Sequence, residues 1–243
     1  SLLVVLFFAI PTQAQTKISL EQAIKTALEN NHAVKIERLK AEYHQKLIRS
    51  GNNLPNTNIS GEYGQINSYY NDTKFGLSQT FDFPTVYSRQ KKMLTEEWKT
   101  ATALASLKEA ELKKEVSSSF YAILTLDAKE KLLQKSDTLL TEFLRKATLR
   151  LKKGESNILE KTTAENQLGQ LKMQLLQLQQ EKDLLNSKFQ FLLNSETEFV
   201  PEGSSFKMAT PMTIEAKIEQ HPLLQSLEQK KKAASAQTSL EKA

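Results

Sequence analysis

Two hydrophobic periods divide the chain. Over most of its length, apolar residues recur every three or four positions, which is typical of amphipathic helices. Residues 57–84 instead alternate apolar and polar side chains, which is typical of strands. In the window TKFGLSQTFDFP, Phe75, Leu77 and Phe81 share one parity, and small or polar residues hold the other. Two such windows of about 10 to 12 residues predict a hairpin whose tilted strands are long enough to cross a bilayer.

The helical period predicts two groups of helices. Short helices occupy residues 15–56, and the stretch SLEQ near their start is typical of a capping box. Residues 85–194 are predicted to form a long helical hairpin with its tip near residues 152–157, because no glycine or proline interrupts the first arm before Gly154. At 1.5 Å per residue, that arm is roughly 100 Å long.

The second arm of the predicted hairpin carries a heptad seam. Its apolar positions step alternately by three and four residues, and one lysine stands among them. The seam residues are Leu168, Leu171, Leu175, Leu178, Lys182, Leu185, Phe189 and Leu192. We expect this seam to pack against the first arm, with the two helices antiparallel around the turn at Gly154.

The N-terminal segment has the pattern of an export signal. A continuous apolar run from Leu2 to Ile10 is too short to span a membrane as a helix. Pro11 and two small residues, Thr12 and Ala14, follow it. Residues 1–14 are therefore predicted to be a secretory signal peptide.

The C-terminal segment predicts an internal duplication. Residues 195–211 are interpreted as a linker, and residues 212–243 as the start of a second repeat. The stretch MTIE at Met212 matches ISLE at Ile18, and QHPLL can be aligned on NNHAV. The matches predict a repeat with a period of about 190 residues, whose second copy is expected to be truncated here.

Composition excludes several classes of function. The 33 basic and 28 acidic residues are interspersed, which favours solvated helix faces over a nucleic-acid surface. The absence of cysteine excludes disulfides, thiolate zinc sites and a thiol nucleophile. His32, His44 and His221 are scattered, and no catalytic or phosphate-binding motif is present. We therefore expect no enzyme activity, no metal site and no cofactor.

The order and duplication of these stretches resemble the TolC family of outer-membrane efflux channels. The likeness is carried by ISLEQAIKTALENN, SGNNLPNTNISGEY, KFGLSQTFDF, RLKKGESNILEKTTAENQL and the restart at Met212. The resemblance implies a mainly α fold with a β-hairpin, in which three two-repeat protomers form one tube. Their strands would make a twelve-stranded barrel in the outer membrane of a Gram-negative bacterium, and their long helices an α-barrel across the periplasm.

The resemblance also implies two functional regions. The tip of the helical hairpin would contact a periplasmic adaptor protein, and the residues that match the family pattern there are Arg150, Gly154, Asn157, Ile158, Leu159 and Glu160, followed by Ala164 and Glu165. Lys161 and Thr162 depart from that pattern. In the strands, we expect Phe75, Leu77 and Phe81 to face outer-membrane lipid, and Gly76, Ser78 and Thr80 to face an aqueous lumen.

The function implied is passive export through a homotrimeric channel. The channel would be coupled through the adaptor to an inner-membrane pump, and would need no cofactor. The stretch SQTFDFPTVYSRQ is most similar to the branch that serves heavy-metal pumps of the resistance-nodulation-division type. A type I protein secretion channel remains an alternative within the family, and a periplasmic coiled-coil scaffold is the alternative from a different class.

Overall fold

The computed structural model describes residues 16–52, 56–66, 69–195, 197–203 and 221–242. The predicted signal peptide and the restart at Met212 lie outside the described residues. The described part contains five α-helices, four strands and one 3₁₀ turn. In chain order, these elements are β1 (Thr16–Ile18), α1 (Leu20–Asn30), α2 (His32–Leu47), the turn Ile48–Asn52, β2 (Asn58–Gly64), β3 (Asp72–Ser78), α3 (Pro84–Lys152), α4 (Ile158–Leu193), β4 (Phe199–Pro201) and α5 (Pro222–Glu241).

The mainly α fold with a β-hairpin that the sequence predicts is confirmed. Helix α3 has 69 residues and α4 has 36. Strands β2 and β3 pair antiparallel, while β1 and β4 form a separate parallel pair that joins Ile18 to Pro201. Within the described residues, none of the helices combines the length and the apolarity that crossing a membrane requires.

The described chain forms two compact units. The first contains β1, α1, α4, β4 and the part of α3 from Glu111 onwards. Its core is built where α3 and α4 meet, and it includes the buried side chains of Ile123, Phe189 and Leu193. Helix α1 packs against α4. The predicted capping box of α1 is present: the amide of Ser19 donates to the side-chain oxygen of Gln22, and the amide of Gln22 donates to the hydroxyl of Ser19.

The second unit contains α2, the hairpin β2–β3, α5 and the part of α3 up to Ala110. Helix α2 runs antiparallel to α3, since Arg38 pairs with Glu109 at one end while the turn after α2 lies against Leu94 at the other. Helix α5 is also antiparallel to α3. Arg89 of α3 donates to the carbonyl of Ser239 near the end of α5, whereas Thr100 contacts Gln229 nearer its start.

The strands are shorter than the sequence pattern indicates. Each has seven residues instead of the predicted 10 to 12. Strand β3 ends at Ser78, so Thr80 and Phe81 lie in irregular backbone between the strand and α3. The alternation continues past the strand because Phe81 and Phe83 keep its parity, but only residues 72–78 pair with β2.

Candidate functional site

The tip of the helical hairpin is closed by a backbone motif at the end of α3. Gly154 has φ of 74°, a left-handed conformation that glycine adopts without a steric penalty. The amide of Gly154 donates to the carbonyl of Leu151, and the amide of Glu155 donates to that of Arg150. This pair of bonds is a Schellman motif, which satisfies the last carbonyl groups of a helix. Gly154 therefore turns the chain towards α4.

Glu160 joins the two arms of the tip. Its amide donates to the side-chain oxygen of Asn157, the N-cap of α4, at 3.2 Å. Its carboxylate accepts a hydrogen bond from Arg150 at the end of α3 at 2.8 Å, and another from Ser156. A carboxylate in the first turn also interacts favourably with the helix dipole. Three of the predicted tip residues, Arg150, Asn157 and Glu160, are thus brought together by one network, and Gly154 makes the turn beside it.

The other two predicted tip residues are apolar and exposed. The side chains of Ile158 and Leu159 are 62% and 69% exposed. Leu159 also borders an open groove of about 620 Å³, which Phe143 and Gln167 help to line. The tip therefore presents an apolar surface beside a charged network, an arrangement that suits contact with another protein.

Two neighbouring residues of the matched pattern have structural roles. Ala164 is fully buried. Glu165 forms an ion pair with Lys161 at 3.2 Å. The pairing shows how α4 accommodates Lys161, one of the two departures from the family pattern.

The hairpin β2–β3 has two chemically different faces. Ile59 lies opposite Leu77, and Gly61 lies opposite Phe75. Because side chains alternate across a strand, these residues and Tyr63 share one apolar face. The ring of Phe75 covers Gly61, at 3.7 Å from the position that a Cβ atom would occupy. The register of the hairpin therefore places the apolar residues of both windows on the same face, as the alternation in the sequence predicts.

The opposite face of the hairpin is polar. Glu62 and Lys74 are cross-strand partners and form an ion pair at 3.8 Å. Ser60 lies opposite Gly76, where a Cβ atom would come within 2.6 Å of the serine hydroxyl. Phe75 and Leu77 on the apolar face are 83% and 75% exposed. The hairpin thus leaves an apolar surface uncovered, with polar groups on its reverse.

A charged cluster lies within the seam between α3 and α4. The ammonium of Lys182 is 2.6 Å from a carboxylate oxygen of Asp127 and 2.9 Å from one of Glu130. Hydrogen bonds to Asp127 and to Glu130 hold the pKa of Lys182 above its usual value. The lysine that interrupts the heptad seam is therefore balanced by two carboxylates one turn apart on α3. Sequence reasoning singled out the lysine but missed these partners.

Both long helices carry a second apolar stripe. On α4, the exposed stripe comprises Met173, Leu176, Leu184 and Phe191. At about 100° per residue, it lies nearly opposite the buried seam. On α3, the exposed residues Tyr121, Leu132, Leu139 and Phe143 lie nearly opposite the buried Leu112, Val116 and Ile123. Each helix therefore has one apolar face covered and another open.

Solved structures share this arrangement. The outer-membrane channel OprN matches with a TM-score of 0.78 and 15% identity, over 91% of this chain and 54% of that one. CusC, which forms a transmembrane channel, matches with a TM-score of 0.76 and 17% identity, over 94% of this chain and 58% of that one. The outer-membrane protein VceC of Vibrio cholerae matches with a TM-score of 0.73 and 12% identity, over 92% and 58%. The chain has the outer-membrane channel fold.

The resemblance to the TolC family that the sequence suggested is confirmed at the level of this channel fold. The chain spans a little over half the length of the solved structures that it matches. No protein-family model and no curated protein matches it. In the described part of the channel fold, no group of three or more acidic or histidine side chains is placed to hold a metal ion.

Proposed function

We propose that this chain belongs to a subunit of a homotrimeric outer-membrane channel that exports substances passively. The observation that carries the proposal is the two-faced hairpin β2–β3. A strand can lie in lipid only where its backbone groups are paired within a closed barrel. An apolar face centred on Phe75 and Leu77, with a polar reverse, is the pattern of a barrel strand between lipid and water. The channel fold supports this reading.

The helices support the same proposal. A helix that is apolar on two opposite sides needs a neighbour on each side. The open stripes of α3 and α4 would then be covered by further helices of the assembly. The hairpin α3–α4 would form part of a continuous helical wall in the periplasm. A solvated scaffold does not account for the apolar face of β2–β3.

The tip supports contact with a periplasmic adaptor. Gly154 and Glu160 fix the turn, while Ile158 and Leu159 present the apolar surface described above. We propose that this surface docks onto the adaptor, which links the channel to an inner-membrane pump. Energy would be consumed by the pump, so the channel itself acts as a conduit.

The substrate class is a narrower proposal. The likeness of SQTFDFPTVYSRQ to the heavy-metal branch favours export of metal cations. To test this proposal, a strain that lacks the gene is exposed to copper, silver, antibiotics or detergents. If the channel serves a metal pump, the strain should become sensitive to the metals and not to the other compounds. Loss of a secreted protein instead would favour the type I secretion alternative.

Cysteine labelling in intact cells tests the channel proposal. The chain has no cysteine, so single cysteines at Phe75, Leu77, Lys74 and Ser78 can be compared directly. We expect a bulky hydrophilic maleimide to label positions 74 and 78, which face water. Positions 75 and 77 should be protected until the membrane is dissolved. Gly76 is avoided because a side chain there would contact Ser60.

The proposed orientation would be wrong if positions 75 and 77 reacted in intact cells as fast as position 78. Extraction of the protein by carbonate would reject membrane insertion altogether. Labelling of unfolded protein in urea serves as the control for intrinsic reactivity at all four positions.

A further inference from the structure

The junction between β3 and α3 marks where the proposed channel leaves the membrane. Phe81 and Phe83 follow the strand on its apolar parity and are exposed, and α3 begins at Pro84. Tyr87 lies in the first turn of α3, where its hydroxyl accepts a hydrogen bond from the amide of Asp82 at 3.2 Å. Tyrosine rings with an apolar body and a polar end are enriched at the level of the lipid headgroups. In the proposed channel, the first turns of α3 therefore lie at that level.

Three helices of the second unit reach this level. Because α2 and α5 run antiparallel to α3, their C-terminal ends lie beside its start. Gly51, in the turn after α2, lies against the backbone of Lys91. Arg89 donates to the carbonyl of Ser239, near the end of α5, at 2.7 Å. The end of α2, the start of α3 and the end of α5 therefore form one layer beside the membrane, which we call the membrane-proximal layer.

The membrane-proximal layer is rich in basic residues. The first twelve positions of α3 include Arg89, Lys91 and Lys92 and contain no acidic residue. At the same level, α5 ends in Glu241 and Lys242, whose charges balance. The dipole of a helix favours acidic side chains at its N-terminal end, so the electrostatics of α3 alone does not explain three cations there. The anionic surface of a membrane attracts such a basic segment.

A groove between α3 and α5 opens in this layer. It has a volume of about 370 Å³ and contains the buried Ala236. Two ammonium groups and two hydroxyl groups border it, and these are side chains that commonly bind phosphate oxygens. The residues that line the groove are Lys92 and Glu96 of α3, and Lys232, Ser235, Ala236 and Ser239 of α5.

The carboxylate in this lining is already bound by neighbours that lie outside the groove. Lys99 donates a hydrogen bond to Glu96 at 2.8 Å, and Gln229 donates another. The hydrogen bond from Lys99 holds the pKa of Glu96 below its usual value, so the carboxylate is ionised and its charge is balanced by Lys99. Lys232 acts on Glu96 through its charge, without a hydrogen bond. The ammonium groups of Lys92 and Lys232 therefore keep donors for an anion.

The groove lies on the outward side of α3 in the proposed tube. The residues of α3 that contact α5 are Arg89, Glu96 and Thr100, and those that contact α2 or its following turn are Lys91, Leu94, Glu97 and Glu109. At about 100° per residue, the two sets are centred about 150° apart, and Lys92 lies in the wider of the two gaps between them. In a closed ring of helices, the wider gap faces away from the axis. Lys92 and the groove therefore face the surroundings of the channel and not its lumen.

We propose that this groove binds the phosphate of an anionic phospholipid headgroup, such as phosphatidylglycerol, in the periplasmic leaflet of the outer membrane. The ammonium groups of Lys92 and Lys232 neutralise the phosphate, and the hydroxyls of Ser235 and Ser239 donate to its oxygens. Lys92 lies about 12 Å along α3 from Pro84, and a lysine side chain can extend its ammonium towards the headgroups. The inference rests on the proposed channel, and it names a lipid partner for the helices below the barrel.

Native mass spectrometry of the full-length protein in detergent tests the groove. The protein is titrated with phosphatidylglycerol or with phosphatidylcholine of the same acyl chains, whose headgroup is zwitterionic. We expect preferential binding of phosphatidylglycerol. The double variant Lys92→Gln, Lys232→Gln should weaken that binding at least about fivefold, because each lysine near an anionic surface contributes about a factor of five. The matched control Lys35→Gln, Lys230→Gln removes two exposed lysines of the same unit and should change it less than about twofold.

A charge-preserving variant separates binding from folding. Lys92→Arg with Lys232→Arg should retain the preference for phosphatidylglycerol, and added salt should weaken binding to the parent protein, since salt screens exposed charges. Four results would overturn the lipid groove. These are equal binding of phosphatidylcholine, unchanged binding in the glutamine variant, loss of binding in the arginine variant, and displacement of the lipid by millimolar inorganic phosphate. The last result would show that a free anion is the ligand.

A separate measurement of channel conductance keeps this proposal apart from the proposed function. Selective binding of phosphatidylglycerol through Lys92 and Lys232 by a protein that forms no pore would retain the groove and reject the channel. A conducting pore that binds both lipids equally would retain the channel and reject the groove.

Discussion

Single glycines in this chain show how one residue type serves different physical needs. Gly154 adopts a left-handed conformation at the tip, with no atom near the position of a Cβ. Gly51 is buried where the turn after α2 meets α3, and a Cβ there would lie 3.1 Å from the Cα of Lys91. Gly169 lies inside α4 in open space. Gly154 therefore supplies a left-handed backbone angle, Gly51 allows the turn after α2 to approach the backbone of α3 closely, and Gly169 weakens the helix in which it lies.

The first prediction compares the same substitution at two of these positions. Gly154→Ala should destabilise the tip by about 1 kcal/mol, because an L-residue is strained in the left-handed region. Gly169→Ala should stabilise α4 by about 0.5 to 1 kcal/mol, because alanine favours a helix interior. Amide hydrogen exchange should therefore become several-fold faster near residues 150–158 in the first variant and several-fold slower near Gly169 in the second. If both substitutions changed the rate of hydrogen exchange in the same direction and by the same factor, the different roles assigned to Gly154 and Gly169 would be wrong.

At the scale of elements, the sequence predicted the helices more closely than the strands. The capping box at Ser19 and the turn at Gly154 have local chemical signals, so they could be predicted directly from the sequence. The end of β3 has none, since it is set by pairing with β2 rather than by the alternation that continues to Phe81. The partners of Lys182 were missed for a similar reason, because they lie on another helix.

The cluster around Lys182 gives the second prediction. Lys182→Met should destabilise the hairpin α3–α4 by about 1 to 2 kcal/mol at neutral pH, since two carboxylates would remain unpaired in a partly buried seam. Lys188→Met, at an exposed position of the same helix, should change stability by less than about 0.5 kcal/mol. Urea unfolding of the full-length protein, followed by circular dichroism, measures both variants.

The effect should depend on pH in a defined direction. The pKa of Lys182 is raised above 10.5 in the folded state by Asp127 and Glu130. Its stabilising contribution is therefore present below the unfolded pKa and is lost as the pH rises through the folded pKa. The difference between Lys182→Met and the parent protein should shrink above pH 10.5. A difference that stays constant into that range would show that packing, not charge, explains the loss.

At the scale of the whole molecule, the open apolar stripes of α3 and α4 show a limit of the hydrophobic period. The period predicts which positions of a helix are apolar, but it does not predict what covers them. The pattern identified the seam residues of α4 as the apolar positions of a helix. It did not show which stripe another helix of the same chain would cover. That choice depends on contacts between segments that are distant in the sequence.

The last prediction concerns the exposed stripe of α4. Leu184 and Phe191 are 71% and 78% exposed, and burying each such side chain in an assembly contributes about 1.5 to 3 kcal/mol. A charge buried there without a partner is costly, so Leu184→Glu should reduce the native oligomer several-fold. Gln174→Glu adds the same charge at an exposed position about 100° from the stripe, and it should leave the oligomer intact. Blue native electrophoresis of detergent extracts measures the oligomer, and circular dichroism verifies that both variants keep their helices. If Leu184→Glu assembled as well as Gln174→Glu, the stripe would face solvent in the assembly, and the helical wall would need a different set of contacts.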